Sequence, residues 1–308
     1  TTQVFTFIEL FIRIYFSSRK EKTTLINVHS LIVLPIGYIL KKLFSSKLIY
    51  DTHELETETR GLRGNTKKVF KYLEEKIIRE CDFVVVVGSE IEKWYRTTYN
   101  ISRVVNVMNC PEYQKVDKKN LFREEFNIPK NKRIVLYQGG LNESRGVGLL
   151  LDAFKKNQDA PYVLMLMGYG VLANDAEESA KNYDNIYYKT AVSPEVLLDY
   201  TTSADIGVHW IDDSCLNHQY CMPNKLFEYL MAGLPVAVSN LLEMSAFVKE
   251  NQVGVVINTW RPEELFTALD KIVEIDEDKL QENAVRVSKK YNWQTQGSAY
   301  IEAIKEIM

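Results

Sequence analysis

The stretch Ile134-Val-Leu-Tyr-Gln-Gly-Gly-Leu-Asn-Glu-Ser-Arg-Gly-Val-Gly-Leu-Leu-Leu-Asp-Ala-Phe-Lys-Lys156 decides the fold class. An apolar run, Ile134–Tyr137, reads as a strand. A glycine-rich turn follows, and Val147–Lys156 is an amphipathic helix. Glycines let the backbone approach a ligand closely, and a helix start offers unpaired N–H groups with partial positive charge. Arg145 stands at the mouth of this turn, where a guanidinium can pair with a phosphate in a forked geometry.

The same β-α grammar recurs outward from this unit. Apolar runs at Leu25–Val28, Lys47–Tyr50, Phe83–Val87, Val104–Met108, Tyr162–Met167, Asn185–Tyr188, Ile206–His209, Pro235–Ser239 and Gly254–Ile257 read as further strands. Near-continuous apolar runs are what parallel strands covered on both faces require. Helical patterns lie between them, at Asn65–Arg79, Pro194–Thr202, Lys225–Met231 and Pro262–Val273 among others. The expected fold is α/β, with two Rossmann-like, doubly wound parallel-sheet domains facing across a cleft.

The charged, proline-bearing segment Cys110–Lys132 reads as the hinge region. The expected domains are residues 1–112, residues 113–290 and a C-terminal helix, residues 291–308, that packs back on the first domain. The chain begins without Met and without a strand ahead of Val4–Phe16, so a β-α unit is expected to precede it in the natural protein.

Composition excludes several classes. At 308 residues, 26% charged and a net charge of −3, nothing favours nucleic-acid binding. Cys81, Cys110, Cys215 and Cys221 form no CxxC pair, which points to reduced thiols in a cytoplasmic protein rather than a disulfide or zinc framework. Val4–Phe16 is apolar, yet Glu9 and Arg13 interrupt it and it is too short to span a bilayer. With Arg19, Lys20 and Lys22 after it, and with Leu31–Leu40 before Lys41-Lys42, it is read either as core helix or as peripheral contact with the inner face of a membrane.

A second informative stretch is Cys221-Met-Pro-Asn-Lys-Leu-Phe-Glu-Tyr-Leu-Met-Ala-Gly-Leu-Pro-Val236. Pro223 closes a loop, a helix begins, and Gly233 and Pro235 stop it before a strand. Lys225 and Glu228, three apart, share a helix face. An ammonium there can meet a diphosphate, and a carboxylate one turn on can accept both ribose hydroxyls. An ordinary intrahelical ion pair is the plain alternative.

Together, PNKLFEYLMAGLPV and YQGGLNESRGVGLLLDAF resemble family 4 (group 1) of the retaining glycosyltransferases, and CDFVVVVGSE and YNWQTQ extend the resemblance over nearly the whole chain. It implies a GT-B fold with a UDP- or GDP-type sugar nucleotide bound by the C-terminal domain. On that resemblance Arg145 and Lys225 hold the phosphates and Glu228 the ribose. Gly139, Gly140, Asn224 and Leu226 complete the surrounding motif, Gly168 and Gly170 lie by the nucleotide, and Lys189–Val192 border the base. His53, with Glu54 beside it, matches the family's histidine by the reacting sugar.

Two departures stand out. Tyr220 occupies the place of a common glutamate, and Gly140 that of a common arginine. Sugar recognition is therefore expected from the loop Ser214–Met222, through Asn217 or His218. No cofactor and no metal are expected. Asp276-Glu277-Asp278 reads as a solvated cap, and Asp212-Asp213 has no ligand spacing around it.

The implied reaction moves a sugar, with retention, from a nucleotide diphosphate to a glycan, lipid-linked or other acceptor. The alternatives are a nucleotide-sugar epimerase of the same fold and a catalytically silent nucleotide-sugar-binding subunit. A dinucleotide oxidoreductase fits least, because no glycine turn carries the full GxGxxG pattern with its acidic partner.

Overall fold

The computed structural model describes residues 2–308, with residues 2–4, 6 and 7 described by backbone only. Contacts divide the chain into two compact units. The first comprises residues up to Met108, Cys215–Tyr220 and Gly297–Met308; the second comprises Asn109–Ser214 and Cys221–Gln296.

In the first unit four parallel strands, β1 (Leu25–Val28), β2 (Lys47–Asp51), β3 (Phe83–Val86) and β4 (Val104–Asn106), pair in chain order. Helices α1 (Thr2–Glu21), α2 (Leu34–Phe44), α3 (Gly64–Ile78) and α4 (Ser89–Tyr99) connect or precede them. One face buries Leu48, Tyr50, Val84 and Val86, and the other buries Ile49, Phe83 and Val85 beneath Ala303, Ile304 and Ile307. This two-sided burial explains why the strands read as unbroken apolar runs.

Glu74 of α3 is an acid with no exposed surface in the interior of this unit. The hydroxyls of Tyr50, Tyr95 and Tyr99 donate to it at 3.0, 2.8 and 2.5 Å. Burial raises its pKa and these three hydrogen bonds oppose the rise. A carboxyl with this many donors is satisfied rather than stranded.

The second unit is a six-stranded parallel sheet in the order β10-β9-β8-β5-β6-β7. Its strands are β5 (Arg133–Gly140), β6 (Tyr162–Tyr169), β7 (Ile186–Thr190), β8 (Ile206–His209), β9 (Val236–Ser239) and β10 (Gly254–Ile257). The chain works outward from β5 to β7, then restarts beside β5 with β8. That reversal is the topological switch point of a doubly wound sheet, and it falls at the carboxyl end of β5. The sequence Gln138-Gly139-Gly140 occupies that end.

Among the described residues the further α-helices are α5 (Leu121–Phe126), α6 (Val147–Lys156), α7 (Ala173–Asn182), α8 (Pro194–Thr201), α9 (Leu216–Gln219), α10 (Asn224–Met231), α11 (Leu242–Asn251), α12 (Pro262–Glu274), α13 (Glu277–Lys290) and α14 (Trp293–Ile307). The segment read as the hinge region contains α5, fixed by Phe122 in the interior and by Arg123 paired with Asp205 at 2.8 Å. Helix α9 belongs to the first unit, so the chain leaves the second unit at Cys215 and re-enters it at Cys221. The side chain of Asp276 accepts from the Asp278 and Lys279 amides, which makes it the N-cap of α13.

Among the described residues no helix is long and apolar enough to cross a membrane. The four cysteines are free thiols.

Candidate functional site

The switch point of the second sheet gathers one group of the expected residues. Gly139, the next-to-last residue of β5, takes φ 112°, and no side chain stands there between the backbone and Lys225: a Cβ built there would lie 3.5 Å from Lys225 Nζ. Lys225, second residue of α10, lays its ammonium 3.7 Å from the centre of the Tyr137 ring, a close cation–π contact. Burial pushes its pKa down to about 7, the nearby Arg145 guanidinium pushes the same way, and Glu228 opposes them. Two cations held close, with too little negative charge to balance them, form a place that favours an anion.

Arg145 itself is exposed, in a short 3₁₀ turn ending at Gly146. Gly146 takes φ 75°, and a Cβ there would lie 1.8 Å from the Trp210 carbonyl oxygen. Only glycine fits both the left-handed backbone and that approach. The turn that aims Arg145 is therefore set against the segment that follows β8.

Glu228 stands one turn along α10 and is half-buried. Its carboxylate accepts from Gln138 Nε2 at 2.5 Å. Burial raises its pKa, while Gln138 and Lys225 pull it back. The Gln138 Oε1 atom lies 2.9 Å from the Thr201 hydroxyl, and the Gln138 amide N–H donates to the Tyr229 hydroxyl at 3.1 Å. Sequence reasoning passed over both Gln138 and Tyr137. The available signal was a polar glutamine inside an otherwise apolar strand.

The other expected donor contacts are placed unequally. Gly168 packs so tightly on β5 that a Cβ would meet the Gly139 carbonyl oxygen at 1.9 Å, and Gly170 faces the Leu141 carbonyl. Gly140 and Asn224 sit at the end of β5 and the start of α10. Val192 is half-buried in the loop after β7. Lys189 is committed elsewhere: its ammonium pairs with Glu125 at 2.7 Å and lies over the Tyr200 ring. Leu226 has no exposed surface, and its N–H donates to the Pro223 carbonyl. Both therefore differ from an open ligand contact, because ion pairing holds the first and core packing the second.

Asn217, His218 and Tyr220 fall in the first unit. Asn217 donates to Glu54 Oε2 at 2.9 Å and accepts from the Leu55 N–H at 2.8 Å. It fixes the turn that carries His53, a job the sequence reading had not given it. His218 is buried, and Tyr220 packs against the core of this unit. His53 is half-exposed and faces His29, with Nε2 3.0 Å from His29 Nδ1. Beside this turn a cavity of about 290 Å³ is lined by Ser30, Ile32, Glu54, Glu56, Thr59 and Phe70.

The model of the glucosyltransferase 3-like C-terminal domain matches residues 147–303, more than half of the chain. The chain belongs to this family. The match takes in α10 with Lys225 and Glu228, and begins directly after the Arg145 turn. The glucosyltransferase 3-like chain is also 25% identical, over 223 residues, to TuaH of Bacillus subtilis (strain 168), named as a glycosyltransferase of teichuronic acid biosynthesis. That alignment covers 68% of this chain and 55% of TuaH, so the chain spans about half the length of the curated relative.

Among solved structures it is similar to sucrose-phosphate synthase from Thermosynechococcus elongatus, at TM-score 0.80 and 17% identity, over 98% of this chain and 78% of that one. It is also similar to Anabaena HepE in complex with UDP, at TM-score 0.78 and 13% identity, over 97% and 82%. Likeness at these identities shows the fold: two parallel-sheet, Rossmann-like units of the GT-B glycosyltransferase type.

Proposed function

We propose that the chain is a glycosyltransferase that takes a sugar from a UDP- or GDP-type nucleotide diphosphate. The observation that carries this reading is the trio at the sheet reversal: Arg145 and Lys225 as under-neutralised cations, with Glu228 one helical turn from Lys225. Family membership and the UDP complex of the structurally similar HepE support it.

In this reading the diphosphate lies across the end of β5, over Gly139 and Gly140. Arg145 and Lys225 bind its phosphates. Glu228, oriented by Gln138, accepts the ribose hydroxyls. Gly168 and Gly170 keep the wall beside the nucleotide free of side chains. As the glycosidic bond breaks, negative charge grows on the leaving phosphate, and two fixed cations near a helix start stabilise it without a metal there.

Among the residues placed around the diphosphate, no side chain acts as a covalent nucleophile. The acceptor hydroxyl then attacks from the face the phosphate leaves, which retains configuration, as in family 4 enzymes. Each turnover converts donor and acceptor hydroxyl into glycoside and nucleoside diphosphate, and the hydroxyl proton passes to the leaving phosphate. On the family resemblance His53 is the residue assigned to the sugar being transferred, and within the first unit Asn217, bonded to Glu54 and Leu55, positions its turn.

The acceptor belongs to the first unit, where the cavity beside His53 suits a glycan or the headgroup of a lipid-linked one. Exposed Phe5, Ile8, Ile12 and Phe16 on α1, with Arg19 and Lys20 in its last turn, support peripheral contact at the cytoplasmic face of a membrane.

A thermal-shift panel of nucleotide sugars tests the donor assignment, because a ligand bound only by the native state raises the melting temperature. One UDP- or GDP-sugar should raise it, and Lys225→Ala should abolish the rise. A flat response across the panel would refute the assignment. Epimerised sugar formed from donor alone would replace transfer with epimerisation, and donor binding without turnover on a broad acceptor panel would favour a silent binding subunit.

A further inference from the structure

We infer that His29, Asp51 and His53 form a binding site for a Zn²⁺-class transition-metal ion in the first unit. His29 follows β1, Asp51 ends β2 and His53 lies two residues beyond it. Because β1 and β2 are parallel neighbours, their carboxyl ends bring the three residues together. One donor atom from each lies within 4.8 Å of the other two.

The spacings suit one ion. Zn²⁺ holds nitrogen and carboxylate oxygen at about 2.0–2.1 Å, which places neighbouring donors of a tetrahedron about 3.3 Å apart. His29 Nδ1 lies 3.0 Å from His53 Nε2 and 3.3 Å from Asp51 Oδ2. Two imidazoles and one carboxylate select Zn²⁺ and its neighbours over Mg²⁺ or Ca²⁺, which prefer all-oxygen shells. Three protein ligands leave a fourth position open, as in catalytic rather than structural zinc sites.

The two rings lie 9° from parallel, with centroids 5.2 Å apart and the facing nitrogens at hydrogen-bond distance. Metal capture needs both lone pairs turned toward one point. The rings can make that turn because the histidine side chains are 57% and 47% exposed, while Asp51, at 13%, is the fixed member.

The surroundings already hold the second nitrogen of His29. Asn27 Nδ2 lies 3.0 Å from His29 Nε2 and 2.7 Å from the Tyr300 hydroxyl, and Asn27 Oδ1 is buried without a partner. A half-turn of this amide lets Oδ1 accept from His29 Nε2–H and from the Tyr300 hydroxyl. The His29 proton then sits on Nε2 and Nδ1 is free to bind metal, which is the usual outer partner of a ligating histidine.

The site deepens the proposed function in one respect that rests on that reading. If His53 faces the reacting sugar, an ion on its ring withdraws it, and Zn²⁺ inhibits transfer reversibly.

The test is titration of the untagged full chain with Zn²⁺ by calorimetry and with Co²⁺ by visible absorption. One equivalent should bind, with no cobalt–thiolate band to implicate the free cysteines, and Mg²⁺ should not compete. His29→Ala and His53→Ala, with wild-type circular dichroism, should each weaken binding by more than the ~10–100-fold typical of losing an outer partner. Asp51→Asn should weaken it in the same direction, and Asn27→Ala less. No stoichiometric binding, or binding that survives loss of either histidine, would overturn the site. Binding without inhibition of turnover would leave the site standing and remove His53 from the sugar.

Discussion

Lys225 Nζ lies 3.7 Å from the centre of the Tyr137 ring, on the open backbone of Gly139 and beside Arg145. The ring face offers a lysine some attraction but no full negative charge. A second cation nearby makes the arrangement costly until an anion arrives, so the cost becomes selectivity for a dianionic or trianionic ligand. The first prediction removes that charge. Lys225→Ala and Arg145→Ala should each weaken nucleoside-diphosphate binding by at least about 2 kcal/mol, the scale of a lost charged hydrogen bond. Calorimetry with UDP and GDP measures it.

The lowered pKa of Lys225 gives the site a pH dependence of definite sign. The free protein holds its proton only below about pH 7, and a bound diphosphate favours the ammonium and raises that value. Affinity should therefore be full below pH 7 and fall by up to about tenfold per pH unit above it, until the bound-state pKa is reached. Binding at pH 8 should take up a proton, visible as a dependence of the calorimetric heat on buffer ionisation enthalpy. Lys225→Arg, always charged, should flatten the profile.

His53 sits on a turn fixed by Asn217 rather than in the phosphate group, so its loss should separate binding from chemistry. His53→Ala should lower kcat far more than donor affinity. Asn217→Ala, which frees Glu54 and the Leu55 amide, should lower kcat in the same direction, with a smaller effect. Steady-state kinetics beside donor-binding titrations read both variants.

Gly146 joins fold to site. Its left-handed backbone alone costs a side chain roughly 1–3 kcal/mol, before the contact with the Trp210 carbonyl is counted. Gly146→Ala should lower the denaturation midpoint and weaken diphosphate binding together, since the same turn aims Arg145. Retained stability with weakened binding would place the effect in the turn alone.

The ten strands among the described residues were legible as apolar runs, most plainly β3, β8 and β9, where burial on both faces leaves no polar side to interrupt the run. Boundaries moved where glycines carry the ladder onward: β5 runs on to Gly140 and β6 to Tyr169. Helix α5 escaped notice because six residues, half of them charged, give no periodic stripe; one phenylalanine and one ion pair hold it. The Lys225–Glu228 spacing was legible because it is local. The Asn217–Glu54 contact joins residues 163 apart, and the meeting of His29 with His53 depends on strand pairing, so no local pattern records either one.

The most direct measurement is a crystal structure of the chain with bound nucleoside diphosphate. The account predicts phosphate oxygens about 2.7–2.9 Å from the Arg145 guanidinium and from Lys225 Nζ, with the ribose hydroxyls on the Glu228 carboxylate. A diphosphate seated elsewhere, with Arg145 and Lys225 left unengaged, would contradict it.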